Sequence, residues 1–550
     1  MIKRNRLIII TFICLFAGNL TSLAGDRTER EMLSIAKSRL EGLAKTNRAA
    51  AANIKIKKLM DKTGYCVYGS DQSGFVVVSR NDFQMPVLGY SSSKFDSNNM
   101  PCGMKWWLDA VDIAANTHNN VAARAGYTVV EPLLKTKWDQ KDPYNFLTPE
   151  IEGSHTLTGC VATAMAQIMK YYEYPAKGKE SGYYTLGDND GHVMEPVQYT
   201  YAWDKMLDSY ADVTLTDEIR TPIAQLMKDC GVASYMNYRT DASGTQLQYA
   251  AHGFAINFSY DSLALQCYPR DFFEDSEWMG MIYNELSNGR PILYGGSGSK
   301  GAHAFIFDGV DADGLIHVNW GWGGGAEGYF DISSLTPSVG YTSYDFNENQ
   351  DMVLGFRCNP EPTTDEKYES FWIIQGDYSV EFKSRLMTFS ADQFYNYHFL
   401  TFYGSLGVFI ESTDGHPENN QYVAVTDNTL GAQATFWGMG NVSRQKIISK
   451  LQPGEYRVYF ASKANQEDTP KAIKSVGGAV GYTLTVDESE TMTLSASKSP
   501  IVTAISNVKK APSANESTSY FDLQGREVNG STKGLVIRRQ GSEVKKIIVK

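Results

Sequence analysis

The stretch CVATAMAQIMKYYEYP, residues 160–175, constrains this chain more than any other. Apolar residues fall at Val161, Ala164, Met165, Ile168, Met169 and Tyr172, the spacing of a helix buried along one face. Pro175 predicts where that helix ends, because the residue before a proline avoids the α region. Cys160 then stands in the first turn, where unpaired N–H groups and the helix dipole favour an anion. Such a position lowers a thiol pKa and makes a thiolate nucleophile available. From these residues alone Cys160 reads equally well as a small core residue, since free cysteine is among the most buried types.

A nucleophile needs a base. His155 is near in sequence but lies on the loop side of the helix start. His303 is better placed, in GAHAFIFDGVDADGLIHVNWGWGGG, which reads as two strands around a turn at 311–314. A hairpin centred there brings His303 within a few residues of Asn319. Asn319 would take a hydrogen bond from one ring nitrogen and aim the other at the thiol. Trp320 and Trp322 would shield that bond from water. The bland reading is a satisfied core histidine beside packing tryptophans. Two glycine runs, GSGSKG (296–301) and GGGAEG (323–328), satisfy a dinucleotide pattern, but both lead into strand-like sequence rather than a helix. They are rejected as phosphate sites, and read instead as places where a substrate backbone approaches closely.

The rest of the chain bounds the setting. A length of 550 residues predicts two to four domains, and 42% apolar residues supply their cores. The net charge of −11 argues against a nucleic-acid or anionic-membrane partner. Lys3, Arg4 and Arg6 precede a short apolar run and then SLAG, the pattern of an export signal cleaved after Ala24. That run is too short to span a bilayer, and no later segment reads as a span. Of seven cysteines, Cys14 falls in the leader, which leaves Cys66, Cys102, Cys160, Cys230, Cys267 and Cys358, too sparse for a disulfide scaffold. Cys66 and Cys102 could pair, a question the sequence leaves open. No cluster has zinc spacing, so neither a metal nor an organic cofactor is expected.

Four regions follow the leader. Residues 25–125 open with a charged helical stretch over 30–60, then two strands (YCVYG, GFVVVSR) and a helix at MKWWLDAVDIAANTH. The connection NNVAARAGYT reads as an exposed site for proteolysis. Residues 126–360 read as mixed α+β, and 361–488 as a β-sandwich of short aromatic and β-branched runs. A Ser/Lys/Ala-rich linker and a tail of three short strands complete 489–550.

TGCVATAMAQIMKYYEYP, GAHAFIFDGVD and HVNWGWGGGAEGYF together closely resemble the streptopain family of secreted papain-fold cysteine peptidases, over about 126–360. The resemblance implies a papain-like catalytic domain with Cys160 and His303 as its dyad, and Asn319 and Trp320 orienting and shielding the histidine. It aligns Gln140, in WDQKDPYNFLTP, with the oxyanion-hole glutamine, and points to Ser243, Gly244, Gly301 and Ala302 as substrate contacts. YRTDASGTQ (238–246) is shorter and less glycine-rich than the family's loop, which puts its subsite details in doubt. Residues 25–125 resemble an inhibitory prodomain, released by cleavage near 124–126, that acts on its own catalytic domain. The tail looks like the sorting modules of the type nine secretion system. The expectation is therefore an exported endopeptidase acting on proteins or peptides. Its rivals are a transamidase using the same site and a surface binding protein with a degenerate one.

Overall fold

The computed structural model describes residues 25–46, 54–71, 73–82, 84–114, 127–298, 301–332, 348–358, 371–426, 438–465 and 467–501, together with four strands between 518 and 549. The export signal and the connection at 124–126 lie outside the described residues. Among those residues no helix is long and apolar enough to cross a membrane. The architecture is α+β, as the sequence predicts.

Its spine is a ten-stranded sheet that ignores the expected boundary at 125 between the N-terminal region and the region that follows. Four N-terminal strands, Lys57–Asp61, Tyr65–Ser70, Gly74–Ser79 and Val87–Ser91, form a meander. The last of them pairs with Gly328–Phe330, setting Tyr90 opposite Tyr329 and Gly89 opposite Phe330. The sheet then runs through Ile316–Asn319, Gly301–Val310, Ile292–Gly298, Glu348–Leu354 and Gln266–Pro269. Helix α1 (Glu29–Thr46) lays Met32, Ala36 and Leu40 against the meander. Its start is a capping box: Thr28 N–H donates to Glu31 Oε2 (2.7 Å), and Glu31 N–H to Thr28 Oγ1 (3.3 Å). The helix stops at Thr46, short of the expected 60. IKIKKLM alternates with the period of a strand, and its second half is the edge strand Lys57–Asp61. Helix α2 (Cys102–Ala114) packs on the sheet's central strands through Met104, Trp107 and Leu108.

Helix α3 (Cys160–Tyr172) carries the expected apolar face, with Val161, Ala164, Met165, Ile168 and Met169 all buried. It packs against α4 (Asp217–Ala233) and α5 (Leu247–Ile256) in one core. Glu173, in the left-handed region, closes it two residues before Pro175. Cys66 and Cys102 are both free thiols, Cys66 buried and Cys102 exposed.

The sandwich packs a three-stranded sheet on a seven-stranded one. Leu386–Asn396 shows the alternating burial that a half-buried strand requires. Strands Met492–Leu494 and Ser499–Pro500 still pair with Val480–Val486, so the unit runs past the expected 488. It is bolted to the region before it: Lys474 Nζ reaches both oxygens of Glu277 (2.6 and 2.7 Å), and Phe371 and Ile373 enter the core beneath the ten-stranded sheet. The tail holds four strands rather than three, Glu527–Val528 being the addition.

Candidate active site

Cys160 is the first residue of α3. Gly159 before it has φ 86°, a left-handed backbone shape that favours glycine. The Cys160 sulfur accepts a hydrogen bond from Ala304 N–H at 3.3 Å. This contact brings the helix start against the strand that carries His303. The hairpin turn expected at 311–314 is present, with Gly314 N–H donating to Asp311 C=O (3.0 Å), and Asn319 pairs with Ile306 across it.

The two side chains are close in topology but not joined. The His303 ring is buried, and its Nε2 is hydrogen-bonded to the Trp320 carbonyl at 3.2 Å. Because that partner is a carbonyl, Nε2 carries the proton. Helix α2 packs against this pose. A Cβ on Gly103 would stand 2.7 Å from His303 Cδ2 and 2.7 Å from Trp320 Cε3, so the backbone of the N-terminal segment rests directly on both rings. Asn319 does not hold the imidazole here. Its Oδ1 accepts from Gln167 Nε2 (3.1 Å) and Gly321 N–H (3.0 Å), and its Nδ2 donates to Thr136 C=O (2.9 Å).

Electrostatics follow from burial. The thiol is expected from its helix position to be easily ionised. Instead burial pushes Cys160 above its ordinary value, against the N–H groups of Ala304, Val161 and Cys160 itself. Burial takes His303 down to about 4, against the pull of the Trp320 carbonyl. Both groups are therefore neutral in this state near pH 7. A histidine whose folded value is depressed contributes no pH penalty above 6.5, and destabilises the fold progressively as pH falls from 6.5 to about 4. In a Cys160→Ala background, the loss of melting temperature between pH 7 and pH 4.5 should shrink when His303→Gln is added. An equal loss in both proteins would contradict the buried neutral ring.

The remaining candidates take distinct places. Gln140 is half-buried; its carbonyl accepts from Thr158 N–H (3.2 Å), which ties its loop to the approach to Cys160. Trp320 is buried, donates Nε1–H to Ala326 C=O (3.1 Å) and packs between Phe305, tilted to it, and Phe330, edge-on to it. Ser243 is also buried, and its hydroxyl is committed to backbone: it donates to Leu157 C=O (2.7 Å) and accepts from Arg239 N–H (2.9 Å). It braces the loop instead of facing a ligand. Gly244 pairs with Asn237, with open space where a side chain would be. Gly301 and Ala302 lie at the tip of the hairpin, opposite Gly298 and Ser297, with Ala302 exposed. GSGSKG thus ends one strand and begins the next, paired Gly298 to Gly301, and GGGAEG leads into the strand Gly328–Phe330.

Gln167 is a residue that pattern reading passes over. It is wholly buried on α3, accepts from Thr136 Oγ1 (2.9 Å) and positions Asn319. The signal was present: an amide within an otherwise apolar helix, two turns after Cys160.

Comparison with known proteins adds a separate line of observation. Residues 138–330 match the Peptidase C10 family, and residues 28–115 match the Spi protease inhibitor. Streptopain of Streptococcus pyogenes is 33% identical over 347 residues, covering 57% of this chain and 87% of its own. The thiol protease/hemagglutinin PrtT of Porphyromonas gingivalis is 30% identical over 326 residues, covering 54% of this chain and 36% of its own. The solved structure of a prointerpain A fragment from Prevotella intermedia superposes with a TM-score of 0.51 at 33% identity, over 56% of this chain and all of that one.

Proposed function

Because this chain belongs to the Peptidase C10 family and is a cysteine peptidase with an inhibitor-type prosegment, we propose that Cys160 is its nucleophile, His303 its acid–base partner, and the whole an exported zymogen. The observation that carries this reading is the Ala304 N–H on the Cys160 sulfur, which sets the thiol one residue along from His303 while α2 holds the ring aside. Release of α2 frees the ring to leave the Trp320 carbonyl and turn to the thiol. Proton transfer from sulfur to imidazole then gives a thiolate and an imidazolium, with Asn319 as the orienting group once the ring reaches it.

The thiolate attacks the peptide carbonyl. The Cys160 N–H and the Gln140 side-chain amide would hold the tetrahedral oxyanion. His303 gives its proton to the leaving nitrogen, and then draws one from the water that resolves the thioester. Trp320 keeps water from the imidazole's far side. The domain plan is a leader to residue 24, a prosegment to about 125, the peptidase to about 360, the sandwich, and a tail.

Processed protein is expected to cleave casein under reducing conditions. Gln140→Ala should lower kcat by roughly a hundredfold, the usual cost of one oxyanion donor. An unchanged rate removes Gln140 from the site. Inactive processed wild-type protein returns the reading to an exported binding protein.

A further inference from the structure

Helix α2 does more than cover the imidazole. Its Trp106 ring is driven into the catalytic sheet, where a Cβ on Gly296 would stand 2.7 Å from Trp106 Cζ2 and 2.8 Å from Cη2. Gly296 lies directly opposite His303 in the antiparallel ladder, so the space above it is on the same sheet face as the imidazole. Phe305 forms an apolar wall, its ring 6.0 Å from the indole. Gln350 forms the other: its Cγ is 3.4 Å from the same point above Gly296, and its Oε1 accepts from the Tyr294 hydroxyl at 2.5 Å. The indole fills this slot almost completely, being only 7% exposed.

A glycine inside a strand weakens the strand, and marks a place where something approaches closely. In the zymogen the approaching group is the prosegment's own indole. Processing removes that indole and leaves an aromatic-sized slot beside the imidazole. The imidazole delivers its proton to the leaving nitrogen, so the residue bearing that nitrogen sits next to His303. Its side chain, directed to the Gly296 face, meets the slot.

We propose that in the processed enzyme the slot vacated by Trp106 receives a bulky aromatic side chain of the polypeptide substrate, at the residue just after the scissile bond. The inference rests on the assignment of Cys160 and His303 made under Proposed function.

The test uses processed full-chain protein and peptide pairs cut at one bond, identified by product mass, that carry Trp or Gly after it. An aromatic ring buries about 150–250 Å², so kcat/KM should favour Trp at least tenfold. Gly296→Val should collapse that ratio toward one. Cleavage of both peptides by the wild-type enzyme at a ratio near one overturns the slot and leaves the peptidase standing; so does an unchanged ratio in Gly296→Val. The wild-type comparison decides the matter even if the variant fails to fold. If wild-type protein cuts neither peptide and Cys160 takes no thiol label, the site assignment itself has failed and the slot falls with it.

Discussion

Cys160→Ala is expected to lose all measurable casein hydrolysis and to accumulate as unprocessed protein. Removing the nucleophile of an acyl-transfer enzyme costs on the order of 10⁶ in kcat, far beyond any effect of a cavity at the helix start. The comparison that gives this force is with two cysteines that, unlike half-buried Cys160, are fully buried. Cys230 and Cys267 are buried in the α-helical core, Cys230 with Met169 Sδ at 3.6 Å. Truncating either should cost stability and leave turnover per folded molecule intact. If Cys160→Ala retained activity, the helix start would be only a packing position, as its burial alone permits.

Gly103→Leu is expected to break latency. The zymogen pose needs the α2 backbone to touch the displaced His303 ring and Trp320, and a Cβ at Gly103 falls 2.7 Å from both rings. Trp320 cannot retreat, being fixed by its bond to Ala326 and by Phe305 and Phe330, while His303 is held by its bond to the Trp320 carbonyl, which the free-ring state gives up. Overpacking of this kind costs about 1–3 kcal/mol, so the free-ring state should gain roughly ten- to hundredfold in population. Self-processing of the Gly103→Leu protein should quicken by a similar factor. Because α2 is held elsewhere by Trp107, whose Nε1–H donates to Asp331 C=O at 2.8 Å, the prosegment should loosen locally before it departs. A variant as latent as the parent would show that contact with the ring does not maintain the inactive state.

What could be read from the residues, and what could not, divides along sequence distance. The α3 face from Val161 to Tyr172 and the hairpin from His303 to Asn319 are local patterns, governed by periods of 3.6 and 2. They suffice to bring the sulfur and the imidazole strand to one site. The contact of Gly103 with His303 joins residues two hundred apart, and nothing in CGMKWW announces its target. The continuity of the meander with the catalytic sheet rests on Gly328–Phe330, a strand too short to carry a pattern. The partners of Asn319 escaped for another reason. Sequence motifs describe the working arrangement of a site, whereas here the imidazole is on a carbonyl and Gln167 is at the amide. Thiol chemistry follows the same division: the helix start favours a thiolate, but burial of the sulfur outweighs it and holds the thiol above its ordinary value.

The most direct measurement is mass mapping of the residue modified by a mechanism-based cysteine-peptidase inhibitor, before and after processing. A single adduct on Cys160, forming quickly only in the processed protein, is the predicted result. Adducts on another cysteine, or equal labelling of Cys160 in both forms, would contradict a thiol that stays protonated until the ring of His303 is set free.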